Sequence, residues 1–165
     1  MNGDSAGSLS NAPSCSKGTK AATPDAGSYT TSCSGALDPN YTIGYVTGMF
    51  TVQQAATTLK AGSVSVNPVK PGATVSATLT RNWDAGAIAG QSVSFYAKST
   101  FLCSAITNSN GAASCTVSSL AGTEAISNAK GYTAEFAGTT DYKPSSGNGS
   151  VTAATLPSTL PVSAL

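Results

Sequence analysis

Four cysteines, two glutamates and one tryptophan are the side chains of this chain with chemistry to offer, and no histidine stands beside them. The cysteines fall as two separated couples, Cys15 with Cys33 and Cys103 with Cys115, and no C-x-x-C occurs. Zinc spacing is therefore absent. An even count, with each couple inside one short stretch, reads as two local disulfides formed in an oxidising compartment; free buried thiols are the alternative. Without histidine, Ser-His-Asp and Cys-His catalysis have no base, and G-x-S-x-G does not occur either. Glu124 and Glu135 are the only pair of glutamates that could serve glycoside hydrolysis. Glu135 falls on the outward phase of an expected strand and Glu124 in an expected loop, so both read as solvated surface charge. The same outward phase argues against Glu135 as the buried acid of a Lys–Asn isopeptide bond. The expectation is a chain that is not an enzyme and holds no cofactor and no metal.

Two further sites carry a choice. Trp83, in Arg81-Asn82-Trp83-Asp84, would join Tyr96 and Tyr142 as a stacking platform for a sugar, or would close one end of a β core with its N–H in water. The second reading is the simpler. The stretch AITNSNGAASC, Ala105 to Cys115, offers Asn108, Ser109 and Asn110 as calcium ligands or as a turn. Calcium sites are built on carboxylates, and this loop has none, so a turn is expected, with Gly111 at positive φ. Folding Phe101–Thr107 onto Ala112–Ser118 as a hairpin brings Cys103 opposite Cys115, and the bond would staple that hairpin.

The elements that must position these residues are strands. In ATVSATLT, Val75, Ala77 and Leu79 share one face and the threonines and Ser76 the other, the period-two pattern of a half-buried strand. Val93 and Phe95 in SVSFYA, and Tyr132, Ala134 and Phe136 in GYTAEFAG, repeat it. Turn signals at Asn67–Gly72, Asn82–Gly86, Asn108–Gly111 and Asp141–Gly149 separate the runs. Composition agrees. With 9% charged residues, 7% aromatic residues and a net charge of +1 over 165 residues, the chain has neither a basic stripe for nucleic acid nor the high net charge of a disordered segment. No run is long and apolar enough to span a bilayer. Asn40-Tyr41-Thr42 and Asn148-Gly149-Ser150 match the glycosylation sequon and read as chance matches in a Ser/Thr-rich chain.

The blocks VKPGATVSATL, AGQSVSFYAK, ITNSNGAASCTV and GYTAEFAGTTDYKPSS, in that order, resemble a bacterial immunoglobulin-like repeat domain over about Thr57 to Val151. The resemblance implies a sandwich of about seven strands that serves as a spacer or adhesive module. The first third is similar to the C-terminal part of an MBG-type repeat of bacterial surface proteins, through its N-G-D start, G-S-Y-x-x-x-C, and N-Y-T-I-x-Y-V-x-G-x-x-x-V. That resemblance implies opening strands before Asn2 that are missing here, and it places Cys15 and Cys33 on two adjacent strands.

The fold expected is mostly β: a truncated small β-rich module over residues 1–53, an Ig-like sandwich over 54–152, and a linker or tail over 153–165. Leu156-Pro157-Ser158-Thr159 lacks the glycine, apolar span and basic tail of a sortase signal. MNGDSAGSLS has neither the basic nor the apolar region of a signal peptide, so the expectation is either that export information was removed or that the segment was cut from a longer exported chain. The function that follows is a non-catalytic spacer of an extracellular or cell-surface bacterial protein, with neighbouring repeat modules as partners. A module that binds a host glycan or protein is the alternative.

Overall fold

The computed structural model describes residues 5–18, 24–67 and 70–153. Chain contacts divide it into two compact units, Met1–Gln54 and Ala55–Leu165.

The first unit holds a three-stranded antiparallel sheet of β1 (Ser14–Ser16), β2 (Gly27–Ser34) and β3 (Gly48–Val52), with β2 in the middle. A 3-10 turn at Ala6–Ser8 precedes it, closed by the Ser5 main-chain N–H donating to the Ser8 hydroxyl. Cys15 and Cys33 are Cα partners on β1 and β2 and are joined by a disulfide. Along β2, half-buried and exposed residues alternate, as a sheet with one covered face requires. Tyr29 stacks on Phe50 across β2 and β3, and its hydroxyl donates to the Asp25 carbonyl at 2.7 Å. Apolar cover is thin. Ala36 is the single buried hydrophobic residue among those described in this unit.

The second unit is built of two sheets around one core. A three-stranded sheet has the order β4 (Thr57–Ala61), β6 (Ala73–Arg81), β9 (Ala112–Val117). A five-stranded sheet has the order β5 (Val64–Val66), β11 (Ser145–Ala153), β10 (Gly131–Phe136), β7 (Ser92–Ala97), β8 (Thr100–Ile106). The pairing is antiparallel except for β5, which runs parallel to β11. Both sheets send their alternate residues into one buried cluster: Val75, Ala77 and Leu79 from one, Val93, Phe95 and Ala134 from the other. Fully burying a side chain the size of Leu79 or Phe95 contributes about 1.5–3 kcal/mol.

The chain changes sheets between β4 and β5, and one side chain makes the change possible. Past Ala61, β4 no longer runs beside β6, so the main chain of Ser76 would lose its ladder partner. Gly62 N–H still donates to the Ser76 carbonyl at 2.9 Å, but the return bond is not made directly, and the Tyr132 hydroxyl comes between the Ser76 N–H and the Gly62 carbonyl. It accepts from the Ser76 N–H at 3.1 Å and lies 2.6 Å from the Ser76 carbonyl and 2.8 Å from that of Gly62. Gly149 lies across β10 from Tyr132, and a Cβ there would meet the ring at 2.2 Å. The Gly in G-N-G-S is thus a packing requirement.

The arrangement departs from the sequence expectations in four places. Among the described residues the second unit has eight strands rather than about seven, and a helix, α1 (Leu120–Ala129), stands where a loop was expected to carry Glu124. Ser119 caps α1 by accepting from the Gly122 N–H, and the stripe Gly122, Thr123, Ile126 is buried. Next, β8 and β9 are not a hairpin. The turn at Asn108–Gly111 forms as expected, with Gly111 at φ 72° and the Asn108 side chain accepting from the N–H groups of Asn110 and Ala112. It leads from one sheet to the other, however, because β8 pairs with β7 and β9 with β6. The Cys103–Cys115 disulfide, with Cα atoms 6.4 Å apart, therefore ties the two sheets together. Trp83 is 75% exposed and does not close the core. The linker expected over 153–165 lies outside the described residues beyond Ala153 at the end of β11, as does the N-G-D start.

Two outcomes test this account. Tyr132→Phe leaves the Ser76 N–H without a partner, and the cost expected for an unsatisfied buried group is about 1–3 kcal/mol in urea unfolding. A midpoint equal to that of the unaltered protein would refute the role given to the hydroxyl. Replacing Cys103 and Cys115 together by Ser should lower stability by about 3 kcal/mol or less, as the chain-entropy relation gives for so short a closed loop. Unchanged stability would show that the bond constrains nothing.

Candidate functional site

The polar residues of the second unit gather in two places, and the first is the turn after β6. Arg81 ends β6, and the tight turn that follows places Trp83 and Asp84 beside it. The guanidinium donates twice to the Asp84 carboxylate, from Nε at 3.1 Å and from Nη2 at 2.9 Å, the forked geometry that suits a carboxylate best. The same carboxylate accepts from the Gly86 N–H at 2.9 Å. Hydrogen bonds donated by Arg81 and then by Gly86 hold Asp84 below its ordinary value, and the hydrogen bonds of Arg81 to Asp84 and then to Tyr142 raise Arg81. Arg81 also lies 5.5 Å from the centre of the Trp83 ring, within cation–π range. Arg81 is thus the hub between Trp83 and Tyr142, and its charge is spent on keeping the turn in shape.

Tyr142 is half-buried and packs on the core, and its neighbours explain why. Ala55 N–H donates to the Asp141 carbonyl at 2.7 Å, and Lys143 N–H to the Ala55 carbonyl at 2.9 Å. The start of the unit is therefore laced to the segment before β11. Thr57, buried, adds a hydroxyl bond to the Lys143 carbonyl.

The second place is the outward face of the five-stranded sheet. Since Val93, Phe95 and Ala97 point into the core, Ser92, Ser94 and Tyr96 point out. On β10 the outward residues are Thr133 and Glu135, and on β11 they are Ser146 and Asn148. The register sets Glu135 between Ser94 and Ser146, and Thr133 between Tyr96 and Asn148. A cavity of about 530 Å³ lies over the first row, lined by Ser94, Tyr96, Glu135, Ser145 and Ser146 among others. One of about 270 Å³ lies by the second, lined by Lys98, Lys130, Thr133 and Asn148 among others. Tyr96 is braced edge-on by Phe101 at 5.6 Å.

The structure thus divides the aromatic platform expected from the sequence. Trp83 and Tyr142 meet at Arg81, while Tyr96 belongs to the outward face. Sequence reading placed Glu135 on that face but did not join it to Tyr96, because the register between β7 and β10 is long-range. Sequence reading does not single out Lys98, in the turn after β7, or Lys130, at the C-cap of α1, because the cavity they share forms only once the strands are paired. Glu124 is exposed on α1. Among the described residues, no three His, Cys, Asp or Glu side chains gather as a metal-ligand set. No helix among them is long and apolar enough to cross a membrane.

Residues 1–51 match the family of the MBG domain, YGX type. No curated protein and no solved structure matches the chain.

The Arg81–Asp84 pair makes a pH prediction. A carboxylate whose folded value is depressed supports the turn above its unfolded value and ceases to do so as pH falls through the folded one. The Gly86 amide resonance should hence titrate below the ordinary carboxylate range, and Asp84→Asn should abolish that transition. A Gly86 titration at the ordinary carboxylate value would overturn the assignment.

Proposed function

We propose that the chain is a non-catalytic structural segment of an exported bacterial surface protein, in which an MBG-type β module is followed by an Ig-like β-sandwich and the two act as spacers in series. One observation carries the reading: each of the two units has its own disulfide, closed within that unit between neighbouring strands or facing sheets. Cross-links of this kind persist in oxidising compartments and supplement cores too small to hold a domain alone. MBG repeats occur in bacterial surface proteins, which supports the surface location and neighbouring modules of the same chain as partners. The Ig-like assignment of the second unit draws on its two facing sheets and on the strand that leaves one sheet for the other.

A spacer of this type needs modules that keep their own folds. Among the described residues the two units differ in what they bury, one cluster of many apolar residues against Ala36 alone. Hydrogen exchange on the full chain should therefore protect the amides of Val75 to Leu79 and Tyr132 to Phe136 far more than those of Ser28 to Cys33, in two separate opening events. Equal protection, lost in a single cooperative step, would refute modules in series and favour one integrated domain.

A further inference from the structure

We propose that the outward face of β7, β10 and β11 is a binding groove for a carboxylate-bearing oligosaccharide. The two cavities on this face lie side by side along β10, since Tyr96 lines one, Thr133 lines the other, and the two are Cα partners. Their linings are chemically unlike. At one end Glu135 stands between serines, and its carboxylate takes part in no hydrogen bond or ion pair among the described residues. At the other end are Lys98 and Lys130, which form no ion pair among the described residues, where Arg81–Asp84 is the pair observed.

The lysines also stand out by their backbone. Of the three non-glycine residues at positive φ among those described, two are Lys98 at 55° and Lys130 at 56°. Lys130 takes this conformation as the C-cap of α1, and Lys98 takes it in the tight turn that joins β7 to β8. The helix cap and the turn thereby bring two ammonium groups to the lining of one cavity.

The parts suit a sugar chain with an acid group. An aromatic ring fixed by its neighbour gives an apolar surface for the C–H face of a pyranose. Tyr96 is such a ring, held by Phe101. The Glu135 carboxylate and the hydroxyls of Ser94 and Ser146 can accept and donate to sugar hydroxyls. Lys98 and Lys130 supply charge-assisted bonds to a carboxylate on a neighbouring sugar, with Asn148 and Thr133 between the two ends. Two residues along an extended strand cover about 7 Å, so the row from Glu135 past Thr133 to Gly131 has room for more than one ring. This inference does not rest on the spacer reading: a spacer can carry such a groove, and a chain that is no spacer can too.

The test is calorimetric titration of the full chain with an oligogalacturonate, with sialyllactose and with lactose. Saturable binding of a carboxylated probe is expected, with lactose weaker, and the probe that binds identifies the acid sugar as uronic or sialic. Tyr96→Ala should weaken that binding about tenfold, the scale of one lost aromatic contact. The double variant Lys98→Asn, Lys130→Asn should erase the preference over lactose while keeping the left-handed backbone. Glu135→Gln should weaken all probes that bind. Circular dichroism of each variant must match the unaltered protein, and Ser94→Ala serves as a second variant where Tyr96→Ala does not fold. No saturable binding of either carboxylated probe at millimolar concentration, or binding that these variants leave untouched, would overturn the proposal.

Discussion

The second unit depends on a hydroxyl group that substitutes for main chain. Where β4 ends at Ala61 and the chain leaves for the opposite sheet, Ser76 faces a gap in its ladder, and a buried N–H without a partner is too costly to tolerate there. Tyr132 reaches across from the other sheet and fills the gap. Its ring lies 5.9 Å from that of Phe95 in the core, so the same residue packs the interior and completes the hydrogen bonding. The two sheets are held in one relative position by a contact that would be lost if either shifted.

The disulfide between Cys103 and Cys115 works on the other flank of β6, where Cys115 is the Cα partner of Val75. Because β8 and β9 belong to different sheets, the short connection Thr107–Gly111 is a corner, and its main chain is fixed at both ends. Thr107 exchanges bonds with Gln91 and Gly90, and Gly111 accepts from Leu79 N–H at 2.9 Å. A Cβ at Gly111 would lie 2.4 Å from the Leu79 carbonyl, so the glycine is required by both its φ and its closeness to β6.

What the sequence revealed and what it hid follow from the range of each interaction. Inward and outward phases were legible at Val75, Leu79, Phe95, Tyr132 and Glu135, because alternation is a property of neighbouring residues. The turn at Asn108 was legible because Asn and Gly act locally. Sheet membership was not, since a strand's alternation is the same whichever partner it bonds, and β8 and β9 look like a hairpin until their partners are known. The helix was masked by Gly122, a poor helix former that is needed because a Cβ there would meet Val117 at 2.5 Å. The outward-face site required the β7–β10 register, because Tyr96 and Lys98 lie in a different stretch of chain from Lys130 and Glu135 and only the pairing brings the two together.

The parallel pairing of β5 with β11 has a consequence for how the second unit carries tension. β5 belongs to the first stretch of the unit and β11 to the last, and Val64, Ser65 and Val66 lie beside Val151, Thr152 and Ala153. Ala55 is bonded next to Asp141 and Lys143, so the chain enters near the beginning of β11 and reaches Ala153 at that strand's far end. A pull on these two points draws β5 and β11 in opposite directions along their common axis. The hydrogen bonds between them are then sheared together rather than peeled one at a time, and a ladder loaded in that direction yields only when its bonds give way as a set.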